Sequence, residues 1–283
     1  MRKTKPMILH PGVKINLGLN ILRKRPDGFH DLETLFVPVS NVHDTLEVVT
    51  GEGYGTTADH IREAYEPSQR EQAISADGKL MITVARREGV HWDPLKDLCA
   101  QAYFILAEDF KLPPIKLFLE KLSPVGAGLG GGSADAAFAL RAIDELCGLG
   151  LSDADLAGYA ARLGADCPFF IYNRPMFASG RGDILEEFDL PIPFRVELVI
   201  PDGISVSTRE AYRGVTPAMT PVPLREVLRE PSTWKNTLRN DFEPSVFARH
   251  PQLAALKADL YARGAFYAAM SGSGSALFGL FGL

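Results

Sequence analysis

The 283-residue sequence is poor in cysteine and carries no large excess of either charge. Its three cysteines, Cys99, Cys147 and Cys167, are odd in number and scattered. That excludes a disulfide framework and zinc-type spacing, and it suits a reducing compartment, so a cytoplasmic location is expected. With 30 basic and 35 acidic residues the formal charge is −5, a balance that points to neither nucleic acid nor a membrane surface as partner. No apolar run reaches the roughly 18 residues of a transmembrane helix. Arg2, Lys3 and Lys5 have no apolar stretch behind them, so a signal peptide is not expected. No internal repeat is found. What is present is a hydrophobic share of 46% and a charged share of 23%, the profile of a globular chain with one large or two ordinary domains.

One stretch departs from this even composition. Pro124-Val125-Gly126-Ala127-Gly128-Leu129-Gly130-Gly131-Gly132-Ser133-Ala134 packs its glycines together and then switches to alanine-rich helical sequence. Glycine admits positive φ and close approach of another group to the backbone. A glycine loop that feeds a helix leaves several N–H groups unpaired at the positive end of the helix dipole, where phosphate is the natural occupant. The loop is not a Walker A sequence, because no Gly-Lys-Ser/Thr closes it; a dinucleotide fingerprint would need a βαβ unit and an acidic residue about 20 residues on, where Asp144 and Glu145 come too early and Asp153 and Asp155 match only roughly. The competing reading is a flexible linker, although linkers do not normally run into a well-formed helix.

The elements around it are mixed. Strand patterns cover Val13–Leu19, Leu35–Val39, Asp44–Val49, Leu80–Val84, Ile115–Lys121, Met176–Ala178, Val196–Ile200 and Ala276–Phe281. Helical spacing covers Leu98–Leu106 and the segment holding Ala136, Leu140, Ile143 and Cys147, which Gly148 stops. Further helices run from Ser152 to Gly164, where Ser152 and Asp155 sit at capping-box spacing, from Ser207 to Tyr212, and from Leu253 to Gly264. Residues 51–79 read as a long loop or insertion with one short helix near Ala58–Ala64. Residues 214–234 read as loop-rich. Without a strict βαβ rhythm the pattern predicts an α+β fold of two lobes, each with a mostly antiparallel sheet and helices, and a cleft between them.

Several residues admit two readings from pattern alone. Lys14 and Asn16 share one face of the first strand and either face solvent or line a site. Asp166, in Gly164-Ala165-Asp166-Cys167-Pro168-Phe169-Phe170, is a helix or turn cap or a functional carboxylate. His30 is structural or binds a ligand. Gly272 and Gly274, in Met270-Ser271-Gly272-Ser273-Gly274-Ser275-Ala276, form a plain turn or close a phosphate site. Asp135 pairs with its own helix dipole or ligates a metal; the dipole is the reading favoured here.

Three segments together resemble the GHMP small-molecule kinases: the lysine-bearing first strand, the Pro-x-Gly-x-Gly-Leu-Gly-Gly-Gly-Ser loop and the late Gly-Ser-Gly loop. The elements Arg25-Pro26-Asp27-Gly28-Phe29-His30 and Gly164–Phe170 extend the resemblance over most of the chain. It implies the two-lobed fold of that family, a ribosomal protein S5 domain 2-like N-terminal lobe and a ferredoxin-like C-terminal lobe. The ATP-binding domain would span residues 1–175 and the substrate domain residues 176–283. It further implies phosphorylation by ATP, with Mg2+, of the 2-hydroxyl of 4-diphosphocytidyl-2-C-methyl-D-erythritol in the non-mevalonate isoprenoid precursor pathway. The partner is then a small molecule with a cytidine diphosphate group. The alternatives are a GHMP kinase acting on mevalonate-, homoserine- or sugar-type substrates, or a non-catalytic nucleotide-binding relative.

By the resemblance, Lys14 and Asp166 are the catalytic lysine and aspartate. Pro124 through Ala134 hold the ATP phosphates, and Ser133 takes a phosphate oxygen or the magnesium ion. Phe29 and Tyr212 sandwich the cytosine, His30 reads its edges, and Asn16 contacts the substrate near the reacting end. The sequence departs from the family at Gly12 and Val13, where proline and alanine are common, and at Phe29, often tyrosine. It also departs at Asp97, where an acceptor-only carboxylate replaces the amide often found near the adenosine.

Overall fold

The computed structural model describes residues 6–51, 53–219 and 222–283. Arg2, Lys3 and Lys5, and the reading of the N-terminus that rests on them, lie outside the described residues, as do Glu52, Thr220 and Pro221 within the two loop-rich stretches. In chain order the strands are β1 (Met7–Leu9), β2 (Gly12–Lys24), β3 (His30–His43), β4 (Thr45–Thr50), β5 (Arg70–Ile74), β6 (Leu80–Arg86), β7 (Ile115–Lys121), β8 (Met176–Ser179), β9 (Ile184–Glu187), β10 (Arg195–Val199), β11 (Tyr267–Met270) and β12 (Leu277–Phe281). The α-helices are α1 (Thr56–Ala64), α2 (Leu98–Ala107), α3 (Gly131–Cys147), α4 (Asp153–Leu163), α5 (Cys167–Tyr172), α6 (Thr208–Arg213), α7 (Leu224–Leu228), α8 (Trp234–Thr237), α9 (Glu243–Arg249) and α10 (Pro251–Ala262).

Contacts group the chain into two compact units, each assembled from several stretches. The first takes in the chain up to Val13, Ser40–Ser123 and Gly131–Asn173; the second takes in Lys14–Val39, Pro124–Gly130 and Arg174–Leu283. The division at 175/176 is a single cut in the sequence, whereas the contacts need several. Strand pairing is the reason. Thr34 pairs with Ala178 and Phe36 with Met176, which joins the segment 14–39 to residues beyond 174.

The first unit holds a five-stranded sheet in the order β1-β4-β7-β6-β5. Its β6–β7 pair is parallel and the pairs on either side are antiparallel. Helix α3 packs on α2, α4 and α5, and its buried Ala134, Ala136, Ala137, Ala139 and Ala142 permit close helix approach. Gly148 ends it at φ +63°, the left-handed C-terminal residue that glycine supplies cheaply. Helix α4 has its expected capping box, with the Ser152 hydroxyl accepting the Asp155 N–H and the Asp155 carboxylate accepting the Ser152 N–H.

The short helix expected near Ala58–Ala64 is α1, but residues 51–79 are otherwise more ordered than the loop expected. They contain α1, a short 3-10 turn and β5. Among the described residues, strand β5 pairs with β6 alone and lies at the sheet edge. Its Arg-Glu-Gln-Ala-Ile sequence shows no alternation because three of its five side chains are exposed, as is usual where an edge strand meets water.

The second unit holds most of the β2-β3-β8-β9 sheet and the antiparallel β10-β12-β11 sheet. Leu19, Ile21, Phe242, Val246, Leu253, Leu260, Met270 and Leu277 are among the residues of its core. Among the described residues, no helix is long and apolar enough to cross a membrane.

Candidate active site

The glycine turn lies between the end of β7 and the start of α3. Gly126, Gly128 and Gly130 take φ values of +76°, +78° and +74°, a left-handed conformation costly for any residue with a Cβ. The intervening Ala127 and Leu129 bury their side chains, while Pro124 is half-buried and Val125 exposed. Three consecutive carbonyls are fastened to the protein. Ala127 O accepts the Ala276 N–H at 3.1 Å and Leu129 O accepts the Lys14 N–H at 2.9 Å. Gly128 O accepts both Lys14 Nζ at 3.0 Å and Ser271 Oγ at 3.1 Å. A trans peptide sets each N–H opposite the preceding carbonyl. The amides of Gly128, Leu129 and Gly130 therefore point away from these partners, in the manner of a backbone anion nest. A turn pinned at three successive carbonyls is no flexible linker.

Gly131 and Gly132 meet a different need, for they are helical. A Cβ on Gly131 would stand 2.4 Å from Ser123 Oγ, so this glycine lets α3 begin against the end of β7. Gly132 is exposed, Ser133 half-buried and Ala134 buried. The first turn of α3 has no acidic residue of its own.

Lys14 and Asn16 do not face solvent. They are 4% and 3% exposed. Lys14 Nζ donates to Asn16 Oδ1 at 2.6 Å and lies 5.1 Å from the centre of the Phe36 ring. Asn16 Nδ2 donates to Thr34 Oγ1 at 3.1 Å, and Thr34 Oγ1 donates in turn to Gly18 O at 2.5 Å. A buried ammonium is tolerated only when its donors are satisfied, and this chain of bonds fixes its direction. Thr34 was not singled out from sequence, where it is one more hydroxyl on a strand, and Ser271 entered only as a member of the late glycine loop, without a role.

Phe29, His30 and Tyr212 fall in the second unit. Phe29 is 55% exposed, and the Arg181 guanidinium stands 5.1 Å from its ring centre. Arg181 is held by Asp183 through Nε at 3.0 Å and Nη2 at 2.9 Å. The His30 ring stacks on Tyr212 at 4.8 Å and 27°, and Tyr212 meets Phe242 edge-on. Burial, with the Lys24 charge, holds the His30 pKa below the ordinary histidine value. The imidazole is thus biased to its neutral form, with one donor and one acceptor nitrogen.

In the first unit, Asp166 stands at the N-cap of α5 but its side chain makes no capping bond. The side chain therefore does not play the helix-capping role that the pattern allowed. Neighbouring Cys167 is buried, which raises its thiol to about 11 against the influence of a Ser133 hydrogen bond. Asp97 caps α2, accepting the Cys99 N–H at 3.0 Å, and also accepts Trp92 Nε1 at 3.0 Å.

Asp135 corrects its expected role. It is 1% exposed and pairs with Lys121 Nζ at 2.5 Å rather than with its helix dipole. Lys121 also pairs with Asp44, whose carboxylate accepts the Leu122 and Ser123 N–H groups, each at 2.6 Å. Burial works to lower the Lys121 pKa, but Asp135 and Asp44 outweigh it and keep the ammonium charged. The cluster ties the end of β7 to the second turn of α3.

Two family models match the chain, GHMP kinases N terminal domain over residues 97–174 and GHMP kinases C terminal over residues 225–282. The 4-diphosphocytidyl-2-C-methyl-D-erythritol kinase of Bacteroides fragilis is 45% identical over 277 residues, covering 97% of this chain and 92% of the relative. The enzyme of the same description from Parabacteroides distasonis is also 45% identical, with the same coverage. A crystal structure of 4-(cytidine 5'-diphospho)-2C-methyl-D-erythritol kinase, 30% identical, superposes with a TM-score of 0.74 over 97% of this chain and 90% of the other. The chain belongs to the GHMP kinases, in the family of the 4-diphosphocytidyl-2-C-methyl-D-erythritol kinases.

Proposed function

We propose that this chain transfers the γ-phosphoryl group of ATP to the 2-hydroxyl of 4-diphosphocytidyl-2-C-methyl-D-erythritol. The observation that carries the reading is the turned-in set of carbonyls at Ala127, Gly128 and Leu129, which aims the following amides at an anion and fastens the Lys14 ammonium beside them. Similarity at 45% identity to kinases of that description supports the choice of acceptor.

Phosphoryl transfer asks the protein mainly for positioning and charge stabilisation. The amides of Gly128, Leu129 and Gly130 hold phosphate oxygens, and the first turn of α3 adds its dipole. Asp166 accepts the proton of the attacking hydroxyl, the role that the family resemblance gives it and one suited to a carboxylate. Lys14 offsets charge that builds near the attacking oxygen. Asn16 aims the ammonium and reaches the acceptor near its reacting end. Phe29 and Tyr212 take the two faces of the cytosine, each such stack worth roughly 1–3 kcal/mol, while neutral His30 reads its edge.

Among the described residues, no group of three or more His, Cys, Asp or Glu could hold a metal. A magnesium ion that arrives on the nucleotide asks for only one or two protein oxygens. The Ser133 hydroxyl in the first turn of α3 would supply one, and the ion would neutralise phosphate charge there. Residues 1–175 carry the nucleotide side of this reading together with Asn16, Phe29 and His30 of the acceptor side, and residues 176–283 add Tyr212. The enzyme works in the cytoplasm, on a small molecule, without nucleic acid or membrane.

The test is ADP release with a panel of acceptors. The cytidylated methylerythritol is expected to support turnover, and mevalonate, homoserine and sugars are not. Equal turnover on an alcohol without a cytidine would overturn the choice of substrate, and nucleotide binding without turnover would overturn the reaction.

A further inference from the structure

We propose that Asn240, acting through Ser271, is the residue that positions the phosphate-holding turn. The inference rests on the functional reading above. Asn240 is 2% exposed and follows a segment joined to β2, since Leu19 N–H donates to Arg239 O and Asp241 N–H to Leu19 O. Its Nδ2 donates twice, to Met270 O at 2.7 Å and to Gly272 O at 2.8 Å. Its Oδ1 accepts the Phe242 N–H at 3.0 Å. Every strong hydrogen-bonding direction of the carboxamide but one is used, and both carbonyls demand a donor. An aspartate there would set oxygen against oxygen.

The two carbonyls that Asn240 grips flank Ser271. That residue is fully buried, and its hydroxyl donates to Gly128 O, the same oxygen that takes the Lys14 ammonium. Gly272 comes as close, for a Cβ there would lie 3.0 Å from Gly128 O. The amide therefore holds the backbone on both sides of one hydroxyl, and that hydroxyl holds the middle carbonyl of the turn. Glu243 supports the same grip by accepting the Met270 N–H at 2.8 Å. In this way a residue remote in sequence from both glycine loops fixes the direction of the nest amides.

The test compares the full chain with Ser271→Ala, Asn240→Asp and the double variant. Two quantities are measured, steady-state rates with ATP and the cytidylated acceptor, and affinity for a non-hydrolysable ATP analogue by calorimetry. Loss of one buried hydroxyl donor is expected to lower kcat/KM for ATP and the analogue affinity about five- to tenfold. The KM of the acceptor should stay within about twofold. Asn240→Asp is expected to lose at least as much. Because both act on one carbonyl, the double variant should fall no more than about twofold below the worse single variant. Losses that multiply, or a Ser271→Ala variant with wild-type analogue affinity, would overturn the proposal. Should Asn240→Asp fail to fold, Asn240→Ser, which keeps one donor, replaces it, and Ser271→Ala remains decisive. A wild-type chain inactive on the cytidylated acceptor would strike the functional reading alone, because the calorimetry still judges the pair.

Discussion

Substituting alanine for Gly128 and for Gly126 separates backbone strain from displacement of the turn. Both glycines have φ near +77°, +78° and +76° respectively, so each alanine pays a left-handed penalty of about 1–2 kcal/mol. Their surroundings differ. A Cβ on Gly126 meets nothing within 4 Å, whereas one on Gly128 would stand 2.3 Å from Ser271 O and 3.1 Å from Gly274 N. Both of the latter are backbone atoms, so relief requires the two loops to part by about 1 Å. That shift breaks the bonds from Lys14 Nζ and Ser271 Oγ to Gly128 O. Misplacement on the 1 Å scale can cost about 100-fold in rate. Urea unfolding is expected to find Gly126→Ala less stable by about 1–2 kcal/mol, with kcat/KM for ATP reduced less than about tenfold. Gly128→Ala should lose about 100-fold in the same assay. Equal losses in the two variants would refute the claim that the inward carbonyl of Gly128 orders the site.

Other outcomes follow from the same geometry. Asp166→Asn should leave affinity for an ATP analogue nearly intact while turnover falls at least about 100-fold; near-normal turnover removes Asp166 from the mechanism. Lys121→Met leaves Asp135 and Asp44 buried without their cation, and denaturant melts should register a loss of about 3–5 kcal/mol. A loss under about 1 kcal/mol would mean the pair is not buried as described. His30 has a depressed pKa in the folded chain, so its neutral form persists below the ordinary value of about 6.5. Protonation is resisted until the pH falls through the lower folded value, and only there should the KM of the cytidylated acceptor rise. A His30→Asn variant should lose that acid limb, and an unchanged limb would assign it to another group.

Much of the scaffold was legible because its signals are local. Strand β7, the glycine turn and α3 follow one another as the residues suggest, and the α4 capping box needs only Ser152 and Asp155. Strand β5 escaped because its outer side chains meet water and leave no alternation. Helix α5 escaped because six residues are too few for a periodic pattern. The site was legible in its residue types and not in its connections. Lys14 on an alternating strand is compatible with either face, and its burial depends on Gly128, Phe36 and Thr34, which are remote in sequence. Asp135 looked like an ordinary acidic residue near a helix start because its partner, Lys121, lies across the glycine turn. Asn240 gave no signal, since two carbonyls some 30 residues away define its role.

The central claim is that this chain moves a phosphoryl group to one hydroxyl of a cytidylated alcohol. Phosphorus NMR of the product made from ATP and 4-diphosphocytidyl-2-C-methyl-D-erythritol tests it most directly. The account predicts one new phosphomonoester, coupled to the carbon that bears the 2-hydroxyl, with the cytidine diphosphate link intact and ADP formed in equal amount. A phosphate on another position, or ADP formed with inorganic phosphate and no new ester, would contradict it.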